Sequence, residues 1–167
     1  AEIAEVLLPA LGARESWRRH TVPDAAHALD HWLSTAALPV WATLGVDPRS
    51  GAFRESLLMT GAAHEPRRRM RTQTRQTLVF ALAALDAPEH SWRATAERGF
   101  KHLCDRGVLP DGLVVNAFDL QGQVVDNEPY LYEQAFYLLA CEAMHRLGDE
   151  GALDRAEHVR RALEAYR

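Results

Sequence analysis

Arg71, Gln73 and Arg75 stand in the run Met70-Arg71-Thr72-Gln73-Thr74-Arg75-Gln76, and the chain turns largely apolar from Thr77 to Leu85. On a helix, residues three and four apart share a face, so this spacing gathers two guanidiniums and an amide at one end of the segment. The apolar remainder (Leu78, Val79, Phe80, Leu82, Leu85) predicts a helix that is buried on most sides. A buried guanidinium needs a partner, because leaving it unpaired is very costly. That partner is either a carboxylate of the protein, with Glu55, Glu133 and Asp126 available to Arg75, or the oxygens of a ligand.

Other groups are weighed in the same way. Tyr130, Tyr132, Phe136 and Tyr137 form an aromatic cluster that helical spacing assigns mostly to the core. Tyr132 is either a ligand contact or a core tyrosine with a satisfied hydroxyl. His27 and His31 are four apart, a metal-ligand spacing, but no third ligand lies near them and no metal site is expected. The remaining histidines are scattered; His102 or His145 serves as a base only if it faces the same cavity as Arg75. Asp30 and Glu55 do not form the carboxylate pair of a glycoside hydrolase. GxGxxG, P-loop, GxSxG and HExxH motifs are absent, and no cofactor is expected.

Turn residues punctuate the chain at helical lengths. A short helix is expected at Ala4 to Leu11. Asp24 reads as the N-cap of a helix running towards Trp41, with Pro39 bending or breaking it. Gly45 to Gly51 is a turn, and Phe53 to Met59 is short and extended. A long helix is expected from Pro66 to Leu85, and another from Ser91 or Glu89 through Cys104 to Gly107. Leu113 to Asp119 and Gln123 to Asp126 read as a β-hairpin around Leu120-Gln121-Gly122. Helices then span Tyr130 to Leu147 and Gly151 to Tyr166. Helix pairs recur at roughly fifty to sixty residues, the signature of a repeated αα unit that stacks or closes into a ring.

The chain has 167 residues, 47% of them hydrophobic and 25% charged, which suits one folded domain spanning 1–167. A formal net charge of −4 argues against a nucleic-acid partner. The basic run Arg67 to Arg71 is flanked by acidic segments and reads as a solvated helix start. Cys104 and Cys141 belong to no CxxC pair and read as reduced core thiols, which suggests a cytoplasmic protein. No apolar run is long enough to span a membrane, and the N-terminus shows no signal-peptide pattern.

Four blocks in order carry a family resemblance. They are Leu38-Pro39-Val40-Trp41 with Gly45-Val46-Asp47-Pro48 and Gly51-Ala52-Phe53-Arg54-Glu55; Arg71-Thr72-Gln73-Thr74-Arg75-Gln76; Asp111-Gly112 with the Phe118 to Asp126 hairpin; and Leu131-Tyr132-Glu133-Gln134-Ala135-Phe136. Together they resemble the N-acylglucosamine 2-epimerase family, which includes mannose and mannose-6-phosphate isomerase-like members and cellobiose 2-epimerases. The resemblance implies an all-α fold of (α/α) hairpins, part of an (α/α)6 toroid, with short β-hairpins in the loops. This chain would form its N-terminal half. Two departures stand out: Gly51-Ala52-Phe53 replaces a Gly-Gly-Phe turn, and Leu113, Val114 and Val115 replace strand aromatics.

The implied activity is that of a sugar isomerase or 2-epimerase. It would act on a mannose-like or N-acylhexosamine sugar by proton transfer at C2 through a cis-enediol. Such chemistry needs a base near neutral pKa and a cation for the developing oxyanion. The resemblance assigns Arg75 to substrate or enediolate binding and Tyr132 to a hydroxyl contact. Gln73 and Gln134 would shape the site, and Glu55 would line its rim or pair with Arg75. The family's two catalytic histidines have no counterpart here, so no catalytic residue is assigned and the chain alone is expected to show little or no turnover. A homo-oligomer or a missing C-terminal half would complete the fold. The alternative is a non-catalytic half barrel that self-associates, through Ala152, Ala156, Val159, Leu163 and Tyr166 of the last helix, or binds carbohydrate.

Overall fold

The computed structural model describes residues 21–166; the helix expected at Ala4 to Leu11 lies outside them. The chain divides into two compact units, one built from residues up to 46 with 56–64, the other from 47–55 with the residues from 65 onward.

In the first unit, helix α1 (Val22–Trp32) begins on a capping box. The Thr21 hydroxyl accepts from the Asp24 amide and the Asp24 carboxylate accepts from the Thr21 amide at 3.0 Å. Thr21 is therefore the cap, and Asp24, expected in that role, is its reciprocal partner. The helix passes through a π-helical segment, Leu33–Ala37, into α2 (Leu38–Thr43). Pro39 neither breaks nor ends it: the wider π turn makes room for a ring that offers no N–H. A hairpin then closes through a Leu57–Ala63 bridge, with Gly61 at φ +86°.

In the second unit, β1 (Arg68–Arg69) feeds α3 (Met70–Asp86), and α4 (Trp92–Arg106) returns beside it. β2 (Ala117–Phe118) and β3 (Val124–Asp126) precede α5 (Leu131–Arg146) and α6 (Ala152–Ala165). The sheet is antiparallel in the order β1-β2-β3, with Arg68 opposite Phe118 and Arg69 opposite Ala117. This pairing explains why α3 starts at Met70 and not at Pro66. The two arginines are drawn into a strand, and the Met70 N–H, an orphan at a helix start, donates to the Asn116 carbonyl at 2.7 Å.

Helix α3 packs on α4 and α5, and α6 packs on α5. The Phe53 and Phe80 rings stack at 5.6 Å between α3 and α4. Phe100, Leu103, Tyr137 and Met144 continue the core. Contrary to expectation, α3 is not covered on most sides. Its small residues Thr74, Thr77, Ala81 and Ala84 form the packed face, while Arg75, Val79 and Leu82 are exposed. On α6, Ala152 and Val159 are already fully buried within this chain, so the face expected to meet another subunit is partly occupied.

The two connecting loops repeat at an offset of 61 residues, from Gly51 to Gly112, Gly61 to Gly122 and Gln73 to Gln134. All four glycines have positive φ. The hairpin bond Leu58 N to Ala62 O (2.8 Å) recurs as Asp119 N to Gln123 O (2.9 Å). The Leu57–Ala63 bridge recurs as the Phe118–Val124 pair. The repeated αα unit expected from helix spacing is thus present in backbone detail, with a β-hairpin in each loop.

Candidate functional site

The N-terminal turns of α3 and α5 come together through their side chains. Arg71 Nε donates to Glu133 Oε1 at 3.1 Å. Glu133 is fully buried, and its Oε2 has no hydrogen-bond partner among the described residues. The Arg71 guanidinium lies over the Tyr132 ring at 5.5 Å, and Tyr132 packs against Phe136 at 4.8 Å. Arg75 lies over the Phe136 ring at 5.8 Å. Two guanidiniums thus rest on two rings, beside one buried carboxylate and one phenol. Cation–π contacts hold each guanidinium in place without neutralising it.

Arg75 is exposed and makes no ion pair among the described residues. Each carboxylate offered as its partner is engaged elsewhere. Glu133 holds Arg71, Asp126 accepts from Asn116 Nδ2 at 2.6 Å, and Glu55 pairs with Arg69 and accepts its backbone N–H at 2.9 Å. Tyr132 is 44% exposed, so its hydroxyl is not sealed in the core.

Gln73 and Gln134 are buried, and each amide grips the backbone N–H and C=O of one residue in the loop before its helix. Gln73 Oε1 accepts from Phe53 N at 2.8 Å while its Nε2 donates to Phe53 O at 2.6 Å. Gln134 does the same to Val114 at 2.9 and 2.7 Å. Both side chains are committed to loop anchoring. Leu113, Val114 and Val115 are buried core residues.

A second charged cluster underlies β1. Arg68, 3% exposed, donates to Asp47 Oδ2 and to Glu65 Oε1, both at 2.9 Å. Glu65 also accepts from the Glu55 amide at 2.9 Å, so this cluster fixes the strand that leads into α3. Burial pushes the Asp47 and Glu65 carboxyls up, but hydrogen bonds and the Arg68 charge outweigh it and hold both below their ordinary values.

Sequence reasoning missed the Arg71–Glu133 pair. Its partners are 62 residues apart, and the only local signal is an acid at a core position of an otherwise apolar helix. His102 packs edge-on against Phe118, and His145 lies in the last turn of α5; neither is among the groups contacting Arg75. His27 and His31 are exposed on α1. No group of three or more His, Cys, Asp or Glu side chains among the described residues is placed to hold a metal ion, and no helix there is long and apolar enough to cross a membrane.

Paired helices joined by loops that carry β-hairpins place the chain in the (α/α)-barrel class of protein. Residues 51–167 match the family model of N-acylglucosamine 2-epimerase, and the chain belongs to that family. It is 36% identical over 143 residues to a mannose-6-phosphate isomerase of Rhizobium meliloti (strain 1021), covering 84% of this chain and 37% of that protein. A crystal structure of D-mannose isomerase superposes with a TM-score of 0.70 at 25% identity, over 77% of this chain and 32% of the other. A sugar epimerase from a ruminal bacterium matches with a TM-score of 0.71 at 20% identity, over 77% and 33%, and shows the fold. The chain therefore spans about a third of the length of the relatives it matches.

Proposed function

We propose that this chain supplies the sugar-binding part of an isomerase or 2-epimerase acting on a mannose-like or N-acylhexosamine sugar. The observation that carries this is Arg75, a guanidinium resting on an aromatic ring with no ion pair to a carboxylate among the described residues, in a family named for a sugar epimerase. In this role Arg75 steadies the charge that develops on the sugar oxygen when the C2 proton leaves. Tyr132 contacts a hydroxyl, and Arg71, held by Glu133, keeps that ring in place. Gln73 and Gln134 shape the site by pinning the loops, and Glu55 shapes its rim by fixing Arg69. The base that takes the C2 proton is a histidine outside this cluster.

Saturation-transfer NMR with D-mannose and with N-acetylglucosamine tests the reading. Sugar signals are expected to saturate with the wild-type chain and to weaken severalfold with Arg75→Ala or Tyr132→Phe. Equal transfer in wild type and Arg75→Ala contradicts it. Isomerisation of mannose at a normal rate by the 167-residue chain would assign the base to one of its own histidines and overturn that part of the mechanism.

A further inference from the structure

Away from the α3–α5 cluster, a pocket of about 290 Å³ opens between the C-terminal turn of α4, the 48–50 loop and the turn joining β2 to β3. It shares no residue with the proposed sugar site. Three guanidiniums line it, from Arg49, Arg68 and Arg106, together with His102. Arg68 is spent on Asp47 and Glu65. Arg49 and Arg106 are exposed, and neither guanidinium has a hydrogen bond or ion pair among the described residues. His102 is only 7% exposed, and its Nε2 is buried with no hydrogen-bond partner among them. His102 thus stands in the pocket wall with an unpaired ring nitrogen closed to solvent, close enough to the cations there to respond to charge placed among them.

Two carboxylates also line the pocket, and both are occupied. Asp105 pairs with Lys101 at 2.6 Å. Asp119 Oδ1 accepts the amides of Gln121 and Gln123 at 2.9 and 2.8 Å, closing the turn. Among the lining side chains three cations, Arg49, Arg68 and Arg106, stand against two anions, Asp105 and Asp119.

From this geometry we infer that the pocket is an anion site for a phosphate group, clasped by Arg49 and Arg106 with His102 behind it. Two separated guanidinium forks suit the several oxygens of a phosphate, and charge-assisted bonds of this kind are the strong ones. The volume lies at the small end of ligand pockets, which fits a phosphate or a small phosphate ester better than a larger molecule. Burial, and then the charges of Arg68 and Arg106, hold the His102 imidazole below its ordinary value. A bound dianion opposes the charge of those two cations and raises it.

The test is an NMR titration of the His102 imidazole in the full chain, with inorganic phosphate, with a hexose 6-phosphate and with the neutral hexose. Inorganic phosphate is expected to shift the His102 signals saturably and to raise its pKa, and the neutral hexose to leave both unmoved. Arg49→Gln and Arg106→Gln should each weaken phosphate about tenfold or more; neither guanidinium has a hydrogen bond or ion pair among the described residues, so the variants should fold. Tighter binding of the hexose phosphate would identify an ester as the ligand, and equal binding would identify free phosphate. His102 signals unchanged by phosphate, or a shift that persists in the Arg49→Gln/Arg106→Gln double variant, would overturn the inference.

Discussion

The Nε of Arg71 lies 3.1 Å from Oε1 of Glu133, and this bond ties the first turns of α3 and α5 together. The two ends are unequal: the Arg71 side chain is 41% exposed and the Glu133 side chain is fully buried. Removing the arginine strands a buried carboxylate, whereas removing the negative charge leaves a guanidinium that can turn to water. Arg71→Ala is therefore expected to cost on the order of 2–3 kcal/mol and Glu133→Gln about 1 kcal/mol. Urea unfolding of the two variants checks the order. A larger loss for Glu133→Gln would contradict the assignment.

Gln73 and Gln134 perform the same task at equivalent points of the repeat. Gln73→Leu should leave the Phe53 peptide without its partners, and Gln134→Leu the Val114 peptide, at about 2 kcal/mol each. The two amides share no partner, so the double variant should lose close to the sum. Denaturant midpoints for the three variants measure this.

The Arg68 cluster makes the protein sensitive to acid. Asp47 and Glu65 are held below ordinary values of 3.8 and 4.5 in the folded state. Their contribution is full above those values and is lost as pH falls through the lowered folded ones. Stability should thus be flat near neutrality and decline below about pH 4.5. Arg68→Met, which strands Asp47 and leaves Glu65 with Arg54 alone (3.1 Å), should cost about 3 kcal/mol at pH 7 and much less at pH 3, where the carboxylates protonate. Thermal melts at the two pH values decide the matter.

Gly99 on α4 is required by a neighbour. A Cβ there would lie 2.3 Å from Cε2 of Phe53 and 3.0 Å from the Thr77 hydroxyl. The stacked Phe53–Phe80 pair leaves that ring little room to withdraw. Gly99→Ala is expected to destabilise by about 1–3 kcal/mol despite the better helix propensity of alanine. An increase in melting temperature would contradict this packing.

Much of the fold was legible in the residues. Turn signals at Gly45 to Gly51, Pro110 to Gly112 and Leu120 to Gly122 located the loops, and helical periodicity located α3 to α6. The family followed from four blocks in order. Pairings across the fold were not legible. Arg68 and Arg69 look like a charged helix start until the Ala117–Phe118 strand captures them. Arg71 and Arg75 carry the same charge on the same helix, and only tertiary contact decides that Arg71 takes Glu133. Gln73 and Gln134 read as polar groups seeking a ligand, because nothing local reveals that each faces a loop peptide.

The sharpest measurement follows the Arg75 Nε–Hε resonance while D-mannose or N-acetylglucosamine is added. The resonance should move saturably, and that of Arg93, paired with Glu97 on α4, should stay still. An Arg75 signal that remains fixed while the sugar binds elsewhere would contradict the account.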